Sequence, residues 1–319
     1  MPAGVAISSL TVIIPFYGDP TDTLTVCQAL HKQDCPVPLT IIVADDASPT
    51  AFPDTPDVHV ARRERNGGFG SAVNTGVEAA RTSHVLILNS DVELSPTFLT
   101  DLINTSRPWM PAIVTCDVTG ESGHTSWPGR HFPTISHQVT EWLVPLARWR
   151  HLPALHEAVG HDTRAVRHLP TPYDTPSDWI LGALMLMPRD VFEALGGMDE
   201  FFYMNCEEVD FQRRARALGI PSVVVGGVSV FHEGGGSSAS DRRRGWLVDG
   251  RYRYTRKWQG KAGVFALRAG LSTATAINLA WNSARALAGA QVEPLKVARY
   301  EWSLVTDPEQ YVPLENRRL

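Results

Sequence analysis

The chain has 319 residues, 43% hydrophobic and 20% charged, a globular balance that argues against disorder and supplies material for a large core. Its formal charge of −5 argues against broad electrostatic binding to nucleic acid, although Arg242, Arg243 and Arg244 form one local basic cluster. Four scattered cysteines, Cys27, Cys35, Cys116 and Cys206, lack metal or redox spacing and point to a reducing compartment rather than a disulfide framework.

Taken in chain order, residues 10–16 (LTVIIPF) form a continuous apolar run, the pattern of a strand buried on both faces. The first seven residues carry no Lys or Arg and the apolar run ends at Pro15, so no secretory leader is expected. Asp19-Pro20 reads as a helix cap followed by proline at the first helical position, with Leu24, Cys27 and Leu30 as the apolar stripe. Residues 39–44 (LTIIVA) are a second buried strand that runs into Asp45-Asp46-Ala47-Ser48, and residues 58–61 are a short third strand. Asn66-Gly67-Gly68-Phe69-Gly70 predicts a glycine turn and a helix through Ala80. Residues 84–89 (HVLILN) are a strand ending at Asn89-Ser90-Asp91, and Ser95-Pro96 restarts a helix by the same cap logic.

Strands and helices alternating at this spacing predict βαβ units and a mainly parallel sheet. Such sheets bind ligands beyond the carboxyl ends of their strands, where both acidic clusters fall. Residues 120–178 break the rhythm with several Pro, His and Trp, but Trp142, Leu143, Leu146 and Trp149 recur at helical spacing. Residues 179–187 (WILGALMLM) read as one strand, Pro188 opens a helix that ends at Gly196-Gly197, and residues 207–218 are amphipathic. Residues 222–230 are a strand leading to His232 and a glycine-serine stretch, and the pattern is helical from about Asp241. In that last part Leu267, Leu271, Ala274, Ile277, Trp281, Ala284 and Leu287 form a stripe suited to packing, to dimerisation or to a membrane surface. The uncharged stretch at residues 269–284 is too short to span a bilayer, so a cytoplasmic protein is expected, with contact at the inner membrane face left open.

Several of these motifs carry chemistry. Asp91, at the end of a buried strand, is placed to hold a hard divalent cation, although a helix-capping or turn role is the commoner reason for such an acid. Asp45 and Asp46 suit a base N–H and ribose hydroxyls, or else an Asx-turn. Asn66 and Gly67 allow close backbone approach to a nucleotide. Glu207, Glu208 and Asp210 favour the helix dipole, but three carboxylates in four residues exceed what capping needs, and one can serve as general base.

In sequence order, TVIIPFYG, VADDAS, RNGGFGSAVNTG, LILNSDVELSP, WILGALMLMPRDVFEALGGMDEFF, EEVDFQRRARALG and VFHEGGGSS together resemble the family 2 glycosyltransferases, across residues 10–258. The resemblance implies an inverting transferase with a GT-A fold, Rossmann-like and mainly parallel. The catalytic domain is expected at residues 1–240, nucleotide-binding to about 118 and acceptor-binding from 119, with a helical extension at 241–319. It implies Pro15, Tyr17, Asp45, Asp46, Asn66, Gly67, Asn89, Ser90 and Asp91 around a nucleotide sugar. Asp91 and His232 are implied for Mn²⁺ or Mg²⁺, Glu208 as base in place of the family's Asp, and Trp179, Gly182, Ala183, Asp199 and Glu207 on the acceptor or sugar side. The closest sub-pattern is rhamnosyltransferase-like, which leaves the sugar open, and UDP and dTDP donors suit the acids equally. The implied partners are a nucleoside diphosphate sugar and a glycan or lipid-linked acceptor, in cell-surface polysaccharide or glycoconjugate synthesis, with a homo-oligomer left open. A nucleotidyltransferase is the rival enzyme class, but the glycine-rich basic loop of that class is missing from TVIIPFYGDP. An inactive binding protein is the rival outside enzymes, and it would be expected to lack Asp91 or the acid pair.

Overall fold

The computed structural model describes residues 6–120, 126–149, 151–164, 174–232 and 240–317. Four strands, β1 (Leu10–Phe16), β2 (Leu39–Asp45), β3 (Val58–Arg62) and β4 (His84–Leu88), pair in parallel in the order β3-β2-β1-β4. Helices α1 (Thr21–His31) and α2 (Phe69–Ala79) make the crossovers. Side chains alternate across β1: Val12 and Ile14 enter one core with Leu86, Leu102 and Ile103, while Ile13 enters the other with Val73, Val77 and Phe211. Both faces are therefore covered, which is why these strands read as unbroken apolar runs. Gly76 lets α2 lie close on the sheet, since a Cβ there would come within 2.4 Å of Ile13.

Beyond β4 the chain forms β5 (Val92–Glu93), α3 (Phe98–Ser106) and β6 (Ile113–Thr119). The irregular middle contains β7 (Gly129–Arg130), α4 (Ile135–Trp142), a 3-10 stretch at Val144–Trp149, α5 (Pro153–Ala158) and β8 (Thr175–Ser177). Then follow β9 (Trp179–Ile180), β10 (Leu184–Pro188), α6 (Arg189–Ala194), α7 (Glu207–Ala217) and β11 (Ser222–His232). The sheet continues β4-β10-β6-β11-β5, with β10 antiparallel to both neighbours and β11 parallel to β6. This is the α/β architecture expected, with β10 as an antiparallel insertion.

Three local expectations are corrected. The single strand at residues 179–187 is broken by a turn at 181–183, because β9 pairs with β7 in a separate ribbon before β10 enters the main sheet. Helix α3 begins at Phe98, not at Ser95-Pro96: the Ser95 carbonyl accepts the Phe98 N–H at 3.1 Å, and the proline lies in the turn before the helix. Pro20, not Asp19, occupies the cap position of α1 and lies outside the helix; Asp19, one residue earlier, accepts the Thr21 N–H at 2.9 Å.

The C-terminal region is α8 (Ser240–Leu287), interrupted at Gly260 where φ is +68°, then α9 (Pro294–Thr306) and a 3-10 turn at Leu314–Asn316. Leu267, Leu271 and Ala274 of the expected stripe are buried against Trp142, Tyr252 and Leu304. The stripe ends there: Ile277 and Leu287 are exposed, and the polar Asn278 and Asn282 are buried in their place. No helix among the described residues is long and apolar enough to cross a membrane.

Helix α8 also fixes the segment that leads into α7. Gly250 allows the helix to lie on the chain at Asn205, whose carbonyl oxygen would be 2.5 Å from a Cβ at that position. The fully buried Arg253 donates to the Phe201 carbonyl at 2.5 Å, to Asp249 at 2.7 Å, to Glu309 at 2.6 Å and to the Asn316 carbonyl at 3.2 Å. Removing one partner of a buried ionic cluster leaves the remaining charges desolvated and uncompensated. Arg253→Ala is therefore expected to lower stability by about 3–5 kcal/mol in urea denaturation, and Arg253→Lys to recover only part, because one ammonium cannot span the same partners.

Candidate functional site

The carboxyl ends of β1, β2, β3 and β4 lie side by side, and their loops build one edge of the site. Pro15 is opposite Ala44 and Phe16 opposite Asp45 in the β1–β2 register, so Tyr17 emerges beside the acid pair with 54% of its surface exposed. Asp45 corrects its expected role as a nucleoside contact. It is fully buried, and its carboxylate accepts from the Ser48 N–H at 2.8 Å, the Phe52 N–H at 3.1 Å and Arg62, which closes the loop over it. Asp46 faces the next loop, accepting the Gly67 N–H at 2.9 Å and the Gly68 N–H at 2.7 Å, with Arg63 3.1 Å away. Burial raises the Asp46 pKa, opposed by these two amides and Arg63.

The acid pair and the glycine turn thus form one unit. Gly68 has φ of +88° and packs on the Tyr203 carbonyl oxygen, which a Cβ would approach to 1.7 Å, so only glycine fits. The Asn66 carbonyl accepts from Asn316 Nδ2 at 3.1 Å, whereas its side-chain Oδ1 is buried without a hydrogen-bond partner among the described residues. Tyr203 and Asn316 were not legible as site residues. Burial and then the nearby Asp46 and Tyr17 push the Tyr203 phenol up to about 12, so it stays protonated beside the acid.

On the next strand, the Asn89 N–H donates to the Ala183 carbonyl at 2.9 Å, which joins the Asn89-Ser90-Asp91 loop to the Gly182-Ala183 turn. Asp91 Oδ1 lies 2.9 Å from His232 Nε2, and Asn89 Nδ2 lies 3.4 Å from the same nitrogen. The β5–β11 pairing, with His232 opposite Val92, brings these residues together from 141 positions apart. The spacing fits a shared divalent cation, since ligand atoms on adjacent corners of an octahedron with ~2.1 Å bonds are ~3 Å apart. The glycine-serine stretch after His232, residues 233–239, lies outside the described residues. A second imidazole–carboxylate group, His131, Glu157 and Asp162, has ligand atoms within 4.8 Å of one another. Its oxygens already accept from protein donors: Asp162 from Arg164 and Ser177, Glu157 from the Thr163 amide and hydroxyl.

The third component is the start of α7. Asn205 and Cys206 both have φ of +69°, a costly conformation for residues with a Cβ, held in place by α8. Glu207 and Glu208 then diverge. Glu207, 3% exposed, packs toward Gly70 of α2, while Glu208 packs against Gly182, where a Cβ would lie 3.3 Å from its Cγ. In each, Oε2 is buried without a hydrogen-bond partner among the described residues. Burial raises the Glu208 pKa, countered by its own backbone amide and by the charge of Arg130. Glu207 is raised well above the ordinary range by burial and then by the charge of Glu208.

Trp179 is buried, donates its indole N–H to the His131 carbonyl at 2.9 Å and lies under the Arg130 guanidinium. Gln212, fully buried on α7, clasps Ile180 by accepting its N–H at 2.7 Å and donating to its carbonyl at 2.8 Å, which sets the Gly182 turn against Glu208. Asp199, expected on the acceptor or sugar side, has its carboxylate held by Lys257 at 2.6 Å and the Phe201 N–H at 2.9 Å. Lys257 also lies 2.7 Å from Asp210, which accepts from Arg214 and Trp258 and braces the helix start.

Because the folded-state pKa of Glu207 is raised above its ordinary 4.5, folding is favoured below that value and loses stability as pH rises. Glu207→Gln is accordingly expected to melt higher than the parent at neutral pH. The gap should widen from pH 5 to 8 and vanish near pH 4, and a melting difference independent of pH would contradict the assignment.

The Glycosyl transferase family 2 model matches residues 11–156. N-acetylglucosaminyl-diphospho-decaprenol L-rhamnosyltransferase of Mycobacterium tuberculosis, strains CDC 1551 / Oshkosh and ATCC 25618 / H37Rv, is 25% identical over 226 residues, 64% of this chain and 69% of the relative. The mannosyltransferase PcManGT from Pyrobaculum calidifontis, solved with GDP-Man and Mn²⁺, superposes with a TM-score of 0.55 at 16% identity, over 95% of this chain and 88% of that one. GalNAc-T7, solved with UDP, GalNAc and Mn²⁺, gives 0.53 at 14% identity over 80% of this chain, which spans 51% of GalNAc-T7. The structural likenesses speak to the fold, which is GT-A, and residues 11–156 are similar to the family 2 glycosyl transferases.

Proposed function

We propose that this chain is a family 2 glycosyltransferase, an inverting, divalent-metal-dependent enzyme that moves a sugar from a UDP- or dTDP-linked donor to an acceptor hydroxyl. The acceptor we favour is lipid-linked, as in the name of the mycobacterial relative. One observation carries the reading: Glu208 and the Asp91–His232 pair flank the same turn, with Gly182 against the first and Ala183 bonded to Asn89 beside the second. A base and a leaving-group site on either side of a two-residue turn are what a single displacement at an anomeric carbon requires.

In this mechanism the nucleoside lies over Tyr17 and the Asn66-Gly67 turn, and the orphaned Asn66 Oδ1 accepts the base N–H that uracil and thymine share. Asp46 holds the turn, and Asp45 supports the loop beneath it. When bound, the divalent cation held by Asp91 and His232 supplies charge neutralisation to the departing diphosphate. Glu208 removes the acceptor proton as that oxygen bonds to the anomeric carbon from the face opposite the leaving diphosphate, which inverts the centre. Glu207, whose pKa is raised well above the ordinary range by burial and then by the charge of Glu208, is harder to ionise. Trp179, Gly182 and Ala183 shape the acceptor side.

Mixing the purified chain with several nucleotide sugars and measuring free nucleoside diphosphate tests the reading. Release that requires Mn²⁺ or Mg²⁺ and is abolished by Asp91→Ala is the expected result, and full activity in EDTA would remove the metal from the mechanism. Glu208→Gln should lower kcat about 10²–10⁴-fold with little change in donor affinity, since general base catalysis has that magnitude. With burial raising its pKa above 4.5, the parent's kcat should climb with pH through a range above ordinary carboxylates, and Glu208→Gln should lose that limb. If Glu208→Gln turns over normally and Glu207→Gln is dead, the base is Glu207.

A further inference from the structure

Helix α8 turns at Gly260, and the rod that follows, as far as Leu287, is built inside out. Its first turns are ordinary, with Leu267 and Leu271 buried among Trp142 and Leu304. Further along, polar side chains take the inward positions. Thr275 accepts the Trp142 indole N–H at 3.0 Å. Asn278 accepts the Val144 N–H at 2.8 Å and donates to the Trp142 carbonyl at 2.9 Å and to the buried Glu301 at 3.1 Å. Asn282, buried as well, lies one turn further along the same side. The outward side carries Phe265, Ala269, Ala276, Ala280 and Leu287, all exposed, which at about 100° per residue fall within one arc of about 60°. Phe265 is 77% and Leu287 92% exposed. A helix bathed in water turns its apolar residues inward and its polar ones outward, and here that order is reversed.

The charges around this side are of one sign. Residues 250–292 contain seven Lys and Arg and no Asp or Glu, in a chain whose net charge is −5. Arg251 pairs with Glu141, Arg253 with Asp249 and Glu309, and Lys257 with Asp199 and Asp210. Lys261 and Arg268 are exposed, have no acidic partner among the described residues and border the apolar arc on one side. On the other side Arg148 lies over the rings of Trp149 and Trp281, 4.0 and 5.1 Å from their centroids. Indoles beside long cationic side chains are the groups that settle at the headgroup level of a bilayer. A second copy of the chain, set face to face, would bring cation against cation, which disfavours pairing. A polyanion such as nucleic acid would meet the cations and leave the apolar arc in water.

We propose that this outward side of α8 is a docking surface for an anionic phospholipid bilayer. Phe265 and Leu287 enter the boundary of the acyl chains, and Lys261, Arg268 and Arg148 meet the headgroup phosphates. The helix lies on the bilayer rather than across it, since no helix among the described residues is long and apolar enough to span one. Leu267, Leu271 and Ala274, the stripe visible in the sequence, point into the protein, so the docking surface is the side opposite to that stripe. The proposal goes beyond the glycosyltransferase reading and stands on exposure and charge without it.

Flotation of the full chain with vesicles of phosphatidylcholine, alone or in equal mixture with phosphatidylglycerol, tests the surface. The anionic vesicles are expected to bind about tenfold or more tightly than the neutral ones, and added salt to weaken that binding. Phe265→Ser and, separately, Lys261→Glu combined with Arg268→Glu should each weaken it about tenfold or more. These side chains are exposed, so melting temperatures should match the parent's. Leu287→Ser, at the most exposed of these positions, supplies the same comparison should either variant melt early. No binding to either vesicle, equal binding to both, or undiminished binding in the folded variants overturns the proposal. A dimer that forms in place of vesicle binding and is dissolved by Phe265→Ser overturns it too, and assigns the face to a second copy. Release of nucleoside diphosphate from nucleotide sugars without vesicles should be the same in parent and variants. Its absence in the parent counts against the glycosyltransferase reading and leaves the docking surface to the flotation result.

Discussion

The antiparallel pairing of β10 with β4 is the contact on which the rest of the arrangement depends. It sets Leu184 opposite Leu88, and one residue further on it makes Ala183 accept the Asn89 N–H. The β4 loop carries Asp91, and the turn before β10 carries Gly182 against Glu208. Each strand position advances ~3.3 Å and reverses the side-chain face, so a slip of one residue here would turn both sets of groups away from each other. The fully buried Leu86, Leu88, Leu184 and Leu186 lock the register from one face, Ile87 and Met185 from the other.

A second constraint is electrostatic. Asp45, Asp46, Glu207 and Asp210 are all buried, yet they are stabilised in different ways. Asp45, Asp46 and Asp210 accept from backbone amides, guanidinium groups or an indole, and act as fasteners. Glu207 and Glu208 each keep an oxygen without a hydrogen-bond partner among the described residues, and burial raises both pKa values. An unsatisfied buried carboxylate costs stability, and proteins retain that cost where the group has work to do.

Much of the edge built by β1 to β4 could be read in the sequence, because strands covered on both faces announce themselves as apolar runs and their loops begin where the runs end. The Asp91–His232 pair followed only from the family resemblance, since no local pattern joins residues 141 positions apart. The break at residues 181–183 was invisible because WILGALMLM is equally apolar on both sides of the turn. Asp45 and Asp46 look interchangeable in sequence, but one closes a loop in the core and the other faces the glycine turn. Tyr203, Gln212, Arg253 and Asn316 gave no signal at all. Their roles come from the backbone groups they reach, which composition and periodicity do not encode.

The bond from Asn316 to the Asn66 carbonyl bridges 250 positions of sequence. A ribosome delivers the chain from its N-terminus, so β1 to β4 can pair while most of α8 is still unmade. The turn of Asn66 and Gly67, although encoded in the first quarter of the chain, acquires its last hydrogen bond only when residue 316 has emerged and Arg253 has gathered the tail. A long loop is costly to close before its contacts reward it. The pocket edge encoded first is thus among the last to be completed, and nascent chains halted before the tail would carry the sheet without a finished turn.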